Sequence, residues 1–166
     1  MHLPLFARAF PDAPWVFLYR DPVEVLVSQL RKPGIHMVPG LLDLNLFPLD
    51  AGQYTYDRER HGARVLARIC APLIQQYAEY RPLLINYRQL PDAVWTKIMP
   101  YFGVARSEDD RHTMIAAARY DAKTPRLKFT PDAENKQREA SASARALADE
   151  HLGPVYRQLE ALRAAS

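Results

Sequence analysis

The stretch that decides the fold covers residues 15–31 and reads WVFLYRDPVEVLVSQLR. Its first part, WVFLY, is a continuous apolar and aromatic run, which is typical of a short strand buried on both faces of a parallel sheet. The apolar positions then recur three and four residues apart, which predicts a helix with one apolar face. Asp21 is a favourable N-cap and Pro22 a favourable first helical residue. We therefore expect a strand, a tight turn and a helix.

A second apolar run, PLLINY at residues 82–87, predicts another strand. Residues 32–53 between the strands lack a regular period, and residues 56–80 have helical spacing that Pro72 is expected to kink or interrupt. After the second strand we expect mainly helices, at 91–102, 109–120 and 138–162, the last of them interrupted at Gly153 and Pro154, with an irregular basic segment at 121–137. A strand, a helix and a second strand in this order predict an α/β fold with parallel pairing.

Arg20 follows the first strand directly, at the carboxyl end where open parallel sheets bind ligands. The helix after it is expected to present its N-terminal amides and the positive end of its dipole there. Asp21, Glu24, Ser28 and Arg31 share one polar stripe of that helix. The pattern predicts a phosphate or sulfate site. It leaves one alternative open, in which Arg20 is an ordinary surface cation paired with Asp21 or Glu24.

Charge and composition exclude several classes of function. Lys and Arg number 22 and Asp and Glu 19, so the formal charge is 22 − 19 = +3. That excess is too small to indicate duplex DNA or a membrane surface as partner, and no apolar run approaches the ~20 residues of a membrane span. Cys70 is the one cysteine, so no disulfide forms within the chain. The histidines lack metal-ligand spacing, which predicts no metal. These features predict a cytoplasmic protein.

Residues 15–31 resemble the 3′-phosphate-binding motif of sulfotransferases that use 3′-phosphoadenosine 5′-phosphosulfate. In that family a buried strand ends in Arg-Asp-Pro or Arg-Asn-Pro, an acidic residue follows the proline by two positions, and a serine comes later. Arg20, Asp21, Pro22, Glu24 and Ser28 match these positions. The resemblance implies that Arg20 and Ser28 hold the 3′-phosphate of the co-substrate.

Two further stretches are similar to the same family. LLINYRQL is similar to a strand that ends in Y-E-D-L, whose tyrosine lies near the co-substrate, and this implies a binding role for Tyr87. Arg88 and Gln89 stand where the family has its acidic pair, so the roles of that pair do not carry over. FTPDAENKQREAS resembles the F-x-x-D-x-x-x-K segment of bacterial members, which implies that Lys136 is a second phosphate contact.

The resemblance also implies what the chain lacks. The family begins with a strand and a Gly-containing phosphate loop that grips the 5′-phosphosulfate, and residues 1–14 contain no such loop. We therefore expect residues 1–166 to form one partial domain of a P-loop-type parallel sheet, flanked by helices, with a helical C-terminal half. Open sheet edges would then allow self-association. The family's catalytic base is a histidine in a T-H-L-P segment, which His2 resembles, and His36 is an alternative base.

The function predicted from the resemblance is transfer of a sulfuryl group from the co-substrate to an acceptor hydroxyl or amine, with the isolated chain inactive. Two alternatives stay open. One is a non-catalytic nucleotide-binding or assembly module that keeps the 3′-phosphate site. The other is a relative of P-loop kinases with Arg20 in a nucleotide lid, which the Arg-Asp-Pro-x-Glu-x-x-x-Ser spacing disfavours.

Overall fold

The computed structural model describes residues 3–38, 41, 57–121, 124 and 126–165. Its strands are β1 (Val16–Tyr19) and β2 (Leu83–Asn86). Its α-helices are α1 (Leu3–Ala9), α2 (Pro22–Arg31), α3 (Arg58–Tyr80), α4 (Met99–Tyr101), α5 (Glu108–Ala117), α6 (Ala133–Glu139), α7 (Ala142–His151) and α8 (Gly153–Ala165). Short 3₁₀ turns cover Ile35–Met37 and Tyr87–Gln89, and a π-helical segment, Val94–Ile98, leads into α4.

The two strands pair in parallel, with Val16 opposite Leu83 and Tyr19 opposite Asn86. The predicted strands and their parallel pairing are therefore confirmed. The fold is mixed α/β and mostly helical around this small sheet. Within the described ranges, no helix combines the length and the apolar character needed to cross a membrane.

The turn from β1 into α2 has the predicted local structure. Asp21 is the N-cap of α2, and its Oδ1 accepts hydrogen bonds from the amides of Val23 at 3.0 Å and Glu24 at 3.2 Å. Pro22 is the first helical residue, where its missing N–H would have had no helical partner. The helix therefore begins directly after Arg20 and ties that residue to the sheet end.

The expectation that β1 is buried on both faces is wrong at Leu18, which is 50% exposed. Phe17 and Tyr19 pack with residues of α3 and α8 on one face of the sheet. Side chains alternate along a strand, so Leu18 lies on the opposite face. The exposure is local to Leu18, because Ile85, its partner on β2 and on the same face, is fully buried.

The expected interruption at Pro72 is also wrong, because α3 runs without a break through this residue. A proline inside a helix removes one backbone hydrogen bond. The helix is held by packing on both sides of the proline, with Ala63 and Val65 buried before it and Leu73 buried after it. Tertiary packing supplies most of the stability of a helix in a folded protein, and here it offsets the lost bond.

The C-terminal helical region is divided differently from the prediction. Helix α6 starts at Ala133, inside the segment expected to be irregular, and a break follows at Ala140. Ser141 then caps α7, because its Oγ accepts a hydrogen bond from the amide of Ala144 at 2.8 Å. The predicted interruption at residues 153–154 is present one residue earlier, at Leu152 between α7 and α8.

Two apolar clusters hold the sheet and helices together. One joins α2, α3 and α7 through Leu26, Ala63 and Leu147. The other joins the sheet to α3 and α8 and includes Leu84 and Leu159. The carboxyl ends of both strands are thereby placed beside α2, α6 and the segment that precedes α6.

Candidate anion-binding site

Arg20 is held on several sides at the end of β1. Its Nε donates to Oε2 of Glu24 at 2.5 Å, and its Nη2 donates to Oδ1 of Asp132 at 2.7 Å. Its guanidinium carbon lies 4.4 Å from the centroid of the Tyr87 ring, which is a cation–π contact. With 15% of its side chain exposed, Arg20 is not an ordinary surface cation, although the pairing with Glu24 that this alternative expected is present.

Glu24 is the buried counter-ion of the site. It is 1% exposed, and its second oxygen, Oε1, lies 3.4 Å from Nη2 of Arg88. A buried carboxylate is tolerated only when it is paired and hydrogen-bonded, and Arg20 and Arg88 provide these partners for Glu24. Arg88 is 61% exposed and also lies 3.6 Å from Asp21.

Asp132 links Arg20 to a second cation. Its Oδ2 lies 2.7 Å from Nζ of Lys136, a residue that is 5% exposed. Partial burial by itself would raise the pKa of Asp132, but hydrogen bonds from Lys136 and Arg20 lower it to about 2. One ionised carboxylate therefore bridges the two cations that the resemblance connects with phosphate.

A cavity of about 370 Å³, here called the strand-end cavity, opens beside this cluster. Its walls combine cations and carboxylates with the flat faces of aromatic rings and prolines. The lining residues are Arg20, Glu24, Tyr87, Arg88, Leu90, Pro91, Ala118, Phe129, Pro131, Asp132 and Ala133. A site of this size is within the ordinary range for small organic ligands.

A second cavity of about 340 Å³, here called the apolar cavity, shares Arg20 and Tyr87 with the first. It is lined mainly by apolar side chains of β1, α3 and α8, and Cys70 is among them. Burial raises the pKa of the Cys70 thiol to about 11, so the thiol is protonated near neutral pH. Cys70 therefore lines a wall and is not an activated nucleophile.

The first-turn amides of α2 are not open to a ligand in the way the sequence suggested. Those of Val23 and Glu24 donate to Asp21, and Asp21 also accepts a hydrogen bond from Nε2 of Gln137 at 2.9 Å. The positive end of α2 is thus satisfied by a side chain of its own chain. The cationic donors of the site come instead from Arg20 and Arg88, which line the strand-end cavity, and from Lys136, which is buried beside Asp132 and lines neither cavity.

The structure brings together three of the five predicted site residues, namely Arg20, Tyr87 and Lys136. Ser28 lies one helical turn beyond Glu24 on the same polar stripe, and it is not among the described residues that line either cavity. His2 lies outside the described residues. The alternative base, His36, belongs to the turn Ile35–Met37 and does not line the two cavities described above.

Sequence reasoning missed Asp132 and Arg88 as members of the site. Asp132 and Lys136 are four residues apart, a spacing that predicts an ion pair on a helix. The sequence therefore indicates the pairing of Asp132 with Lys136. Nothing in it indicates that Asp132 also pairs with Arg20. Across the described residues, no group of three or more His, Cys, Asp or Glu side chains is placed to hold a metal ion.

Comparisons of the chain with protein-family models, with curated proteins and with solved structures find no match.

Proposed function

We propose that this chain is part of a sulfotransferase that uses 3′-phosphoadenosine 5′-phosphosulfate, and that the strand-end cavity binds the 3′-phosphate. The observation that carries the proposal is the bridge at Asp132. Arg20 Nη2 lies 2.7 Å from Oδ1 of Asp132, and Lys136 Nζ lies 2.7 Å from Oδ2 of the same carboxylate. A phosphate group has three acceptor oxygens and suits the same two donors.

The surroundings of Arg20 support a nucleotide rather than a bare anion. Tyr87 and Phe129 contribute aromatic rings to the cavity wall, and Pro91 and Pro131 contribute flat apolar faces. Such walls suit a nucleoside, while Arg20 and Lys136 hold its charged group. Arg20 is always charged, and the Tyr87 ring limits its movement.

The finer fold assignment belongs to the same proposal. β1 and β2 would be neighbouring strands of a larger P-loop-type parallel sheet, whose phosphate loop is contributed from outside this chain. Parallel pairing and a long helical connection between the strands support this assignment. Sulfuryl transfer is an in-line displacement at sulfur, with negative charge developing on the leaving phosphate. Arg20 and Lys136 would position the co-substrate through its 3′-phosphate and would not contact the reacting sulfur.

Calorimetry with adenosine 3′,5′-bisphosphate and adenosine 5′-monophosphate tests the proposal. We expect Arg20→Ala to weaken binding of the bisphosphate by about ten- to a hundredfold, because a charge-assisted hydrogen bond contributes ~1.5–3 kcal/mol. The monophosphate lacks the 3′-phosphate, so the variant should lose the discrimination between the two ligands. Arg20→Lys keeps a charge near Glu24 and should recover part of the affinity, since the ammonium lacks the planar fork.

Arg157→Ala is the matched control. Arg157 is 67% exposed, pairs with Asp149 at 3.4 Å on α7, and lines neither described cavity. The Arg157→Ala variant removes one positive charge, as Arg20→Ala does, and should leave the affinities for the bisphosphate and the monophosphate unchanged. An equal loss of affinity for the two ligands in Arg20→Ala and Arg20→Lys would contradict the 3′-phosphate site. Binding of adenosine triphosphate in preference to the bisphosphate would favour the kinase alternative.

A further inference from the structure

Asp132 differs from the other polar residues that precede α-helices in the described part of the chain. It is the N-cap residue of α6, yet its side chain makes no hydrogen bond to the first turn of that helix. Asp21, Asp57 and Ser141 all make such bonds to their own helices. N-cap carboxylates ordinarily satisfy the first-turn amides. The Asp132 carboxylate is instead committed to Arg20 and Lys136.

The two carboxylates on Arg20 also differ in exposure. The Glu24 side chain is 1% exposed and lies inside the protein, whereas the Asp132 side chain is 45% exposed at the cavity wall. Helix α6 keeps other links to α2, because Gln137 donates to Asp21 at 2.9 Å and Glu139 pairs with Arg31. Asp132 can therefore leave its partners while α6 stays in place.

From this arrangement we propose that the Asp132 carboxylate is a resident competitor, which occupies the ligand's anion position and is displaced by dianionic phosphate monoesters more readily than by singly charged phosphates. The inference rests on the proposed function, since it concerns the same 3′-phosphate site. It adds a residue that opposes binding and a rule for which phosphate groups are accepted.

The selectivity follows from the charges at the site. Arg20, Arg88 and Lys136 balance Asp21, Glu24 and Asp132, so the six groups sum to zero. When Asp132 leaves the cations, a monoanion only replaces the charge that was lost. A phosphate monoester carries close to two negative charges near neutral pH and gains more Coulomb attraction than the carboxylate gave up. Diesters and cyclic phosphates, with one charge, have no such advantage.

The test compares adenosine 3′-monophosphate with adenosine 2′,3′-cyclic monophosphate by calorimetry on the whole chain, at one pH and one salt concentration. The wild-type protein should bind the open monoester at least about tenfold more tightly, because of its extra charge. Asp132→Asn should strengthen binding of both probes. It should help both probes by a similar factor, about tenfold, because each displaces the same carboxylate, so the preference for the open monoester persists.

Asp149→Asn provides the control for a general change of net charge. Asp149 is 80% exposed and pairs with Arg157 at 3.4 Å, and it does not line the strand-end cavity. This variant should leave both affinities and their ratio unchanged.

Two outcomes would overturn the inference alone. If Asp132→Asn weakens both probes, Asp132 positions Arg20 and Lys136 and does not compete with the ligand. If the variant binds as the wild type does, while Arg20→Ala still weakens adenosine 3′,5′-bisphosphate, the phosphate lies elsewhere on Arg20. Absence of binding by wild type and Asp132→Asn for all three nucleotides would overturn the proposed function together with the inference.

Discussion

Two neighbouring residues at the end of β1, Tyr19 and Arg20, lead into two different polar networks. Tyr19 pairs with Asn86 at the last position of the two strands, and Arg20 and Tyr87 follow directly after the strands. Both networks connect the sheet to a C-terminal helix. The first reaches Glu160 on α8, and the second reaches Asp132 before α6.

The Tyr19 network is closed. Its hydroxyl donates to Glu160 and accepts from Nε of Arg163 at 3.0 Å, while Nδ2 of Asn86 donates to Glu160 at 2.9 Å and to Tyr156 at 3.0 Å. Burial and the hydrogen bond to Glu160 raise the pKa of Tyr19 well above its usual value. Each of these polar groups is hydrogen-bonded to another group of the same network. The role of the network is therefore to attach α8 to both strands.

The Arg20 network has a buried half and an exposed half. Glu24 holds one side of the guanidinium inside the protein, while Asp132 holds the other side at a cavity wall. Ion pairs are present in both networks, so their presence alone does not mark a binding site. The distinguishing feature is that the exposed carboxylate of the Arg20 network, Asp132, lines a cavity where a ligand anion can replace it, whereas Glu160 lines neither described cavity.

The largest expected effect is on Glu24, the buried half of the Arg20 network. Glu24→Gln removes the buried counter-ion that Arg20 and the exposed Arg88 share, and should lower the free energy of unfolding by about 3 kcal/mol. Urea denaturation measures this loss. Asp132→Asn, on the exposed half, should cost less, about 1–2 kcal/mol, because the carboxylate is exposed although its partner Lys136 is buried. Equal losses in the two variants would remove the distinction between the halves.

A smaller loss is expected in the closed network. Glu160→Gln keeps an acceptor for Asn86 but loses the charge-assisted bonds to Arg163, which should cost about 1.5 kcal/mol in unfolding free energy. Affinity for adenosine 3′,5′-bisphosphate should not change. A loss of affinity without a loss of stability would show that this network belongs to the binding site.

Acid unfolding provides an independent readout of the same variant. The hydrogen bond from Arg163, with those from Tyr19 and Asn86, lowers the pKa of Glu160 to about 2. The pKa of a glutamate in an unfolded chain is about 4.3. The stabilisation that Glu160 contributes is therefore fully present above that pH and is lost as the pH falls toward about 2. Glu160→Gln should remove up to about one proton from the uptake linked to unfolding in this window. An unchanged pH dependence of the unfolding free energy would contradict the assignment.

The smallest expected effect concerns Ser28. The resemblance implies a contact with the 3′-phosphate, while the structure places Ser28 one turn beyond Glu24 and outside the described cavity walls. A single neutral hydroxyl contributes about 1 kcal/mol, so Ser28→Ala should weaken bisphosphate binding about fivefold. The affinity for adenosine 5′-monophosphate is the reference. If the ratio of the bisphosphate affinity to the monophosphate affinity is the same in Ser28→Ala as in the wild type, the site is restricted to Arg20, Tyr87 and Lys136.

The local features of the site were predictable from sequence because they depend on residues that are close along the chain. Asp21 and Pro22 start α2, and the change from a continuous apolar run to helical spacing separates β1 from α2. The position of Arg20 at a strand end follows from the same short stretch. Parallel pairing of the strands follows from the helical connection between them.

The tertiary structure alone decided which charges meet. Asp132 is 112 residues from Arg20, and Arg88 is 64 residues from Glu24. Neither pairing has a local signal, since helix spacing reports only neighbours within about one turn. The exposure of Leu18 likewise depends on how elements distant in sequence pack around it. Local propensities determine where elements begin and end, whereas the packing of elements distant in sequence determines which side chains share a buried site and which remain open to a ligand.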